Sequence, residues 1–405
     1  MKPATQTTVM KIKKLPKETR SVSVGIFVPT GSAFETDSER GLAHFIEHML
    51  FKGTTNRSYK EIAEEIDQLG GVINAFTSKE YTCFYIRVLK DFIEEGFGVL
   101  KDLIEHPLID PEELEKEKGV IIEEINMSED NPEEHVFDVF MENAVEGSFG
   151  KPIMGTKQHI LSYTRDDLLR FMGKHYRPEK LIISCVGDVA DLECTLDEDF
   201  IYKEYFTDAQ AHATFRFKKG LDIVNRPIQQ SNVVLGCELF SLYDERKYAA
   251  YLLNDIFGGT MSSRLFQTIR EEQSLCYNIS SSVKLFREGG LFTIFAGTSN
   301  NNAQRLLDSI KSEIEKLKKD YITRQELNKA KTSFKGSYML SLESPYAVMV
   351  KQGIDTILYG DYVPEDEIIA KTDSVKLDDI VQIIDLIEPE NFHITVLGDI
   401  KQINW

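Results

Sequence analysis

Residues 41–53, GLAHFIEHMLFKG, form the most informative stretch of this chain for both fold and chemistry. Its apolar residues recur at the spacing of one helix face, and Gly53 marks the end of the pattern. The residues of this face are Leu42, Phe45, Ile46, Met49 and Leu50. The stretch therefore predicts a helix from about Gly41 to Phe51 that is anchored in a hydrophobic core.

Three polar residues, His44, Glu47 and His48, interrupt this apolar pattern. Residues four apart lie about 40° from each other around a helix, so both imidazoles can reach one metal ion. Glu47 is one turn from His44, so its side chain projects into the same region as the two imidazoles. The order His-x-x-Glu-His reverses the His-Glu-x-x-His order of many zinc peptidases. The pattern favours a metal site over an ordinary amphipathic helix that carries two histidines.

A third ligand is needed, because catalytic zinc sites typically have three protein ligands and one position for water. The stretch DPEELEKEKGVIIEEINMSED predicts a helix with Asp110 as its N-cap and Pro111 in its first turn. Glu117 and Glu124 lie two turns apart on one face of this helix. A carboxylate beside a buried face is costly unless a cation compensates it. Glu124 fits this description, although periodicity alone leaves Glu123 open.

The apolar residues of that helix indicate which part of it is buried. We expect buried positions at Leu114, Val120, Ile121 and Ile125. The neighbouring acids Glu112, Glu113 and Glu115 fit a solvated surface instead.

Composition narrows the functional class. The 405 residues carry a formal net charge of −19, so nucleic acid and anionic membranes are not expected partners, whereas cationic ones are favoured. The 5 cysteines are scattered without a CxxC spacing, which favours a reducing compartment over disulfides. The sequence has no apolar run of about 20 residues, and its first sixteen residues lack the apolar core of a secretory signal. We therefore expect a cytoplasmic protein.

The order of predicted strands and helices runs twice along the chain. FKGT at Phe51 aligns with FGGT at Phe257, and PEEL at Pro111 aligns with RQEL at Arg324. We expect an N-terminal metal-binding domain over 1–208, a linker over 209–219 and a homologous domain over 220–405. When these two alignments are extended, the five candidate site residues correspond to Ala250, Leu253, Asn254, Ala330 and Ser337. None of these side chains is a zinc ligand, so the second domain is predicted to bind no metal.

Over nearly its whole length the chain resembles the pitrilysin/insulinase family of zinc peptidases. It is most similar to two-domain members such as the β subunit of mitochondrial processing peptidase and its bacterial relatives. In that family the third ligand follows the second His by about 76 positions, which selects Glu124, and a second essential glutamate seven residues earlier selects Glu117. The resemblance implies an α+β fold in which two homologous domains each pack helices on a mostly antiparallel sheet.

The same resemblance implies one Zn²⁺ per chain, held by His44, His48 and Glu124. Glu47 would be the general base of a zinc endopeptidase, and Glu117 would orient a ligand or the water. INAFTSKEYT, from Ile73, resembles the family's edge strand that pairs with substrate through Asn74, Ala75, Phe76 and Thr77. Arg270 and Tyr277 fit the family's Arg-x6-Tyr pair.

These features predict a substrate that is an extended, possibly basic peptide. Longer family members close four such domains around the peptide. A two-domain chain would complete that chamber as a homodimer, with Arg270 and Tyr277 acting in trans.

Two other functions are alternatives to a zinc endopeptidase: a scaffold subunit and a lyase. A non-catalytic scaffold subunit of a processing-peptidase-like complex would share the fold, but such subunits usually lack part of the metal set. S-ribosylhomocysteine lyase resembles this family in the inverted motif but needs a Cys about 68 positions after the second His, and neither Cys83 nor Cys185 has that spacing. The N-terminal TVMKIKKLPKETR lacks the family's usual Asn-Gly, which leaves the first strand open.

Overall fold

The computed structural model describes residues 11–197, 200–207 and 212–405. Residues 209–211 of the expected linker lie outside the described residues, as do residues 1–10, 198–199 and 208 of the expected first domain. Within the described ranges the chain contains twelve strands and thirteen α-helices.

The strands are β1 (Lys11–Pro16), β2 (Ser21–Val28), β3 (Val72–Thr77), β4 (Thr82–Leu89), β5 (Val145–Glu146), β6 (Ile182–Gly187), β7 (Arg216–Phe217), β8 (Gly220–Asn225), β9 (Gln230–Leu239), β10 (Asn278–Leu285), β11 (Gly290–Ser299) and β12 (His393–Gly398). The helices are α1 (Leu42–Leu50), α2 (Tyr59–Gln68), α3 (Ile93–Glu105), α4 (Pro111–Asp130), α5 (Pro132–Ala144), α6 (Lys157–Ser162), α7 (Arg165–His175), α8 (Lys247–Asn254), α9 (Ala303–Asp320), α10 (Arg324–Ser341), α11 (Pro345–Tyr359), α12 (Glu365–Ser374) and α13 (Leu377–Ile384).

The chain divides into two compact units that are each discontinuous in sequence. The first comprises residues up to Asn126, Lys151–Ala213 and Ser341–Val363. The second comprises Met127–Gly150, Thr214–Leu340 and Pro364–Trp405. Each unit therefore contains a segment from the opposite half of the sequence.

A five-stranded sheet of order β1-β6-β2-β4-β3 forms the centre of the first unit. The β1 strand runs parallel to β6, and the other neighbours are antiparallel. The segment left open by the sequence is thus a strand, Lys11–Pro16. Because β3 ends this order, it pairs only with β4 among the described residues.

Successive residues of this sheet point to opposite faces, as the strand period requires. Ile26 of β2 and Phe84 of β4 belong to the main core, which also contains the apolar residues of α1. Phe27 and Cys83 alternate with them and pack instead against Met349 of α11. The sheet is therefore covered on one face by helices that include α1 and on the other face by α11.

The second unit has a sheet of order β8-β12-β9-β11-β10. Again the outermost pair, β8 and β12, is parallel and the rest are antiparallel. One face packs against helices such as α8 and α9. On the other face, the ring of Phe137 on α5 stacks on Phe295 at 5.5 Å.

The two sheets share one topology, and the middle strand of each contains a glycine that faces the covering helix. A Cβ atom at Gly25 of β2 would meet Met349 of α11, and one at Gly236 of β9 would meet Phe140 of α5. Both glycines allow a helix to approach the sheet closely. The predicted α+β fold, with mostly antiparallel sheets in two similar units, is confirmed.

Candidate metal centre

Helix α1 directs three polar side chains away from the core. Its apolar residues Leu42, Phe45, Ile46, Met49 and Leu50 are all buried, as their spacing predicted. His44, Glu47 and His48 occupy the remaining side and are partly buried. The imidazole rings of His44 and His48 lie 4.6 Å apart, centroid to centroid.

Helix α4 brings a carboxylate to these histidines. Oε2 of Glu124 lies 3.4 Å from Nε2 of His48 and 3.8 Å from Nε2 of His44. One ligand atom from each of the three residues falls within a cluster whose members are all within 4.8 Å of one another. The structure thus places together the three side chains that the sequence grouped as ligands.

The start and the faces of α4 follow from its sequence with one exception. Oδ1 of Asp110 accepts hydrogen bonds from the N–H groups of Glu112 and Glu113, at 2.9 and 3.1 Å, so Asp110 is the predicted N-cap. Leu114, Ile121 and Ile125 are buried, but Val120 is 46% exposed, so its expected burial was wrong. Val120 lies on the solvent side of the helix, where a single apolar residue is tolerated.

Glu123, which periodicity could not exclude as a ligand, lies away from the cluster. Its side chain is exposed, and Oε1 lies 3.5 Å from Nδ2 of Asn126. The two adjacent glutamates of α4 therefore face different surroundings.

Glu117 is buried beside His48. Its Oε1 lies 2.8 Å from Nδ1 of His48, and its Oε2 lies 2.6 Å from Nζ of Lys52. Burial alone would raise the pKa of Glu117, but the hydrogen bonds from His48 and Lys52 outweigh this effect and lower it. Glu117 is thus held as a carboxylate that fixes the ring of His48.

The two histidines have opposite electrostatic surroundings. Burial lowers the pKa of His44 to about 4, and the charge of His48 adds to this effect. Burial also lowers the pKa of His48, but the Glu117 hydrogen bond and the Glu124 charge outweigh it and raise the pKa overall. His44 is therefore a neutral imidazole at neutral pH, which is the form that binds a metal.

Glu47 lies beside this cluster and is bonded to the edge strand. The hydroxyl of Thr77 on β3 donates a hydrogen bond to Oε2 of Glu47. Burial raises the pKa of Glu47, whereas the Thr77 hydrogen bond and the charge of His48 lower it. A carboxylate with a raised pKa is suited to accept and return a proton.

The donor set fits zinc. Imidazole nitrogen and carboxylate oxygen bind Zn²⁺ at about 2.0–2.2 Å, which places two tetrahedral ligand atoms about 3.4 Å apart. The distances from Glu124 to the histidine Nε2 atoms, 3.4 and 3.8 Å, approach that separation. Because Nδ1 of His48 is bonded to Glu117, its Nε2 is left for the metal, the usual arrangement of a zinc-binding histidine. Three protein donors leave a fourth position for water.

Of the four β3 residues expected to contact substrate, Asn74 is exposed, and Ala75, Phe76 and Thr77 are partly buried. Asn74 is exposed, and its Oδ1 accepts a hydrogen bond from the N–H of Ala75 at 2.8 Å. The ring of Phe76 packs near Tyr81 and Tyr85, at 6.2 and 6.3 Å. With Thr77 bonded to Glu47, this strand runs directly to the candidate catalytic carboxylate.

Arg270 and Tyr277 lie together in the second unit. The guanidinium of Arg270 is 5.6 Å from the ring centroid of Tyr277 and 4.4 Å from that of Phe266, and it pairs with Glu271 at 3.3 Å. Tyr277 is 85% exposed, which excludes a role as a core aromatic.

The second unit differs from the first at the corresponding positions. Ala250 and Leu253 of α8 are buried apolar residues. Oδ1 of Asn254 accepts a hydrogen bond from the hydroxyl of Ser281 at 2.8 Å. Among the described residues of this unit, no cluster of three metal-type ligands occurs.

Lys52 was not singled out by sequence reasoning, although a signal was present. It follows His48 by four residues, so it lies one turn further along the same side of the chain. A lysine at this spacing was a candidate partner for the second glutamate of α4. The hydrogen bond from Thr77 to Glu47 had no local signal, because the two residues come from different elements.

No helix in the described ranges combines the length and apolar character needed to cross a membrane.

The sequence matches two family descriptions. Residues 12–157 match Insulinase (Peptidase family M16), and residues 162–334 match Peptidase M16 inactive domain. The chain is 39% identical over 363 residues to a Bacillus subtilis protein named Uncharacterized zinc protease YmxG, covering 89% of this chain and 88% of the relative. It is 33% identical to an uncharacterized zinc protease of Streptomyces coelicolor, covering 94% and 86%. Relatives with these names imply zinc as the metal.

Solved structures show the same fold. A protease from Helicobacter pylori superposes with a TM-score of 0.87 at 23% identity, covering 95% of this chain and 96% of that one. A peptidase M16 inactive domain from Pseudomonas fluorescens superposes with a TM-score of 0.85 at 17% identity, covering 97% and 96%. Sequence relatives and fold agree, and the chain belongs to the insulinase family of peptidases, M16.

Proposed function

We propose that this protein is a zinc-dependent endopeptidase that hydrolyses extended or unfolded peptides. The observation that carries the proposal is the convergence of His44, His48 and Glu124 in one cluster. Glu47, whose pKa is raised by burial, lies on the same side of α1 as the two histidines. The first unit thus has both a donor set for one zinc ion and a carboxylate for proton transfer.

Glu47 is the proposed general base. Its Oε2 accepts the hydroxyl of Thr77, so Oε1 is the oxygen that takes a proton from the attacking water. The same carboxyl then returns the proton to the leaving amine. When bound, zinc lowers the pKa of a water towards about 7 and polarises the scissile carbonyl. Glu117, itself held by Lys52, keeps the ring of His48 in its orientation.

We propose that substrate adds as a strand beside β3. The backbone of Asn74 to Thr77 pairs with β4 on one side, which leaves the other side available for main-chain hydrogen bonds with a peptide. Such pairing selects extended conformation more than sequence. The net charge of −19 supports a preference for basic peptides.

We further propose a homodimer in which Arg270 and Tyr277 contact the peptide bound to the partner subunit. The 85% exposure of Tyr277 beside Arg270 supports a role in contacting another molecule. Size-exclusion chromatography with light scattering, combined with activity measured on dilution, tests this part. Fully active monomers would contradict it.

The alternative of a non-catalytic scaffold subunit has less support. Such a subunit needs neither a donor cluster nor a buried carboxylate beside it, and burying these groups costs free energy. The presence of both favours catalysis.

The decisive experiment is Glu47→Gln. The variant keeps all three proposed ligands, so it should bind about one zinc per chain by metal analysis. Hydrolysis of an unstructured quenched-fluorescent peptide should fall by about 10²–10⁴-fold, the usual contribution of a general base. Glu123→Gln, on an exposed side chain of α4, is the matched control and should keep wild-type activity. An active Glu47→Gln variant would overturn the proposal.

A further inference from the structure

The helix that carries both histidines has no N-terminal cap of its own. The N-cap position of α1 is Gly41, whose φ of 87° lies in the left-handed region. A Cβ atom there would lie 2.6 Å from the carbonyl oxygen of Met154 and 3.0 Å from Cα of Gly155. Residues that normally cap helices, such as Ser or Asp, are therefore excluded at this position.

Glu35 supplies the missing cap from six residues upstream. Its Oε2 accepts a hydrogen bond from the N–H of Gly41 and its Oε1 accepts one from the N–H of Ala43, both at 2.8 Å. One carboxyl group thus satisfies two backbone donors at the start of a helix, where such donors lack partners within the helix. Both bonds are made just before His44.

The two histidines are held in different ways. The ring of His48 is fixed through its Nδ1 by Glu117, at 2.8 Å. Nδ1 of His44 is buried and has no hydrogen-bond partner among the described residues. The position of His44 towards a metal is therefore set by the backbone of the first turn and by packing.

We propose that Glu35 is a positioning residue for metal binding, which holds His44 in place by fixing the first turn of α1. The proposal rests on the proposed zinc site. In this arrangement each histidine depends on a different glutamate: Glu117 acts on the ring of His48, and Glu35 acts on the backbone that carries His44.

The role does not depend on the charge of Glu35. Burial raises the pKa of Glu35 to about 8, against the lowering effect of the N–H groups of Ala43 and Gly41. A protonated carboxyl still accepts through its carbonyl oxygen, and more weakly through its hydroxyl oxygen. What matters is that two acceptor oxygens are present at the right distance.

The test uses Glu35→Gln, which preserves size but has one acceptor oxygen, and Glu35→Asp, which preserves both oxygens on a shorter side chain. The zinc dissociation constant of each purified full-length variant is measured by competition with a chromophoric chelator. We expect both variants to bind zinc about 10–100-fold more weakly than wild type, as for other residues that orient metal ligands. Hydrogen exchange of the α1 peptide in zinc-free protein should be faster in both.

Glu61→Ala is the matched control. Glu61 completes the capping box of α2, where its Oε2 accepts from the N–H of Ser58 at 2.8 Å, and it has no contact with the metal cluster. This variant should lose a helix cap while keeping the zinc affinity and α1 exchange of wild type. If Glu35→Gln does not fold, Glu35→Asp decides the question.

The outcomes separate the two proposals. Wild-type protein that binds no zinc would refute the proposed function. Tight zinc binding by wild type together with unchanged affinity in a folded Glu35 variant would overturn the positioning role alone. An equal loss of affinity in Glu61→Ala would also overturn it, because any lost cap would then have the same effect.

Discussion

The carboxylate of Glu117 lies 2.8 Å from Nδ1 of His48, so a side chain outside the donor cluster fixes one of its ligands. In Glu117→Gln an amide replaces the charged acceptor, and the ring of His48 loses its strongest constraint. We expect zinc affinity to fall about 10–100-fold. Isothermal titration with a competing chelator measures this. Glu113→Gln, near the start of the same helix, should match wild type, and an unchanged Glu117→Gln would contradict the expectation.

Lys52 compensates the buried charge of Glu117. The Lys52→Met variant removes the ammonium 2.6 Å from Oε2 of Glu117. Because Lys52 is partly exposed, we expect a modest decrease of about 1–2 kcal/mol in the unfolding free energy of zinc-free protein. The decrease should shrink when Glu117 is also changed to Gln. Urea unfolding of the double-mutant cycle measures the coupling. Lys60→Met, which breaks an exposed pair with Glu64, is the control and should have almost no effect.

The hydroxyl of Thr77 tunes the proposed general base. Its hydrogen bond lowers the pKa of Glu47, so Thr77→Val should raise that pKa further. The acidic limb of the pH profile of kcat/KM should therefore move to higher pH. Thr77→Ser keeps the hydroxyl and should retain the wild-type profile. Coincident acidic limbs for the Val and Ser variants would show that this hydrogen bond does not tune Glu47.

His44 makes zinc-free stability depend on pH. Its pKa is lowered to about 4, whereas an imidazole in the unfolded chain titrates near about 6.5. Between these values the unfolded state binds a proton that the folded state does not, so the unfolding free energy falls as pH falls from about 6.5 to 4. The full contribution is roughly 3 kcal/mol.

His44→Gln removes this contribution. Urea unfolding at several pH values in the presence of a chelator should show a smaller acid loss for the variant than for wild type. His48 has a raised pKa, so its protonation favours the folded state, and His48→Gln should show a larger acid loss. Parallel curves for wild type and His44→Gln would contradict the assignment.

Local sequence patterns predicted the two helices that carry the candidate site. The period of Leu42, Phe45 and Met49 fixed the orientation of α1, and Asp110 marked the start of α4, because both signals act within one turn of chain. The burial of Val120 was wrong because an apolar residue can lie on the solvent side of a helix. Side-chain periodicity cannot specify which sheet a distant helix covers, so the placement of α11 on the first sheet was not predicted.

Only part of the candidate site could be predicted from local sequence. Spacing on one helix grouped His44, Glu47 and His48, whereas the choice between Glu123 and Glu124 needed the family resemblance. The cap from Glu35 had no sequence signature, since cap signatures rely on the residue next to the helix and here that residue is Gly41.

The composition of the units gives a prediction about truncation. A chain ending at residue 208 lacks α11, so Phe27, Cys83 and Ile182 lose the contacts that cover their face of the sheet. We expect this fragment to bind a hydrophobic dye and to aggregate. Joining residues 341–363 to it through a flexible linker should reduce dye binding and aggregation by covering this face, while α5 stays without its own sheet. Size-exclusion chromatography measures the aggregation of both fragments. A monodisperse monomer without the added segment would contradict the expectation.

Each sheet is covered by a helix from the opposite half of the sequence, so substitutions in the two halves cannot be accepted independently. A larger residue at Gly25 must be accommodated by a change at Met349, and one at Gly236 by a change at Phe140. If recombination replaced one half of the gene with that of a distant relative, the helix packed on each sheet would come from a different protein than the sheet itself. Neither helix would then have been selected to fit its sheet. Selection therefore acts on the two halves together, although only one of them carries the metal ligands.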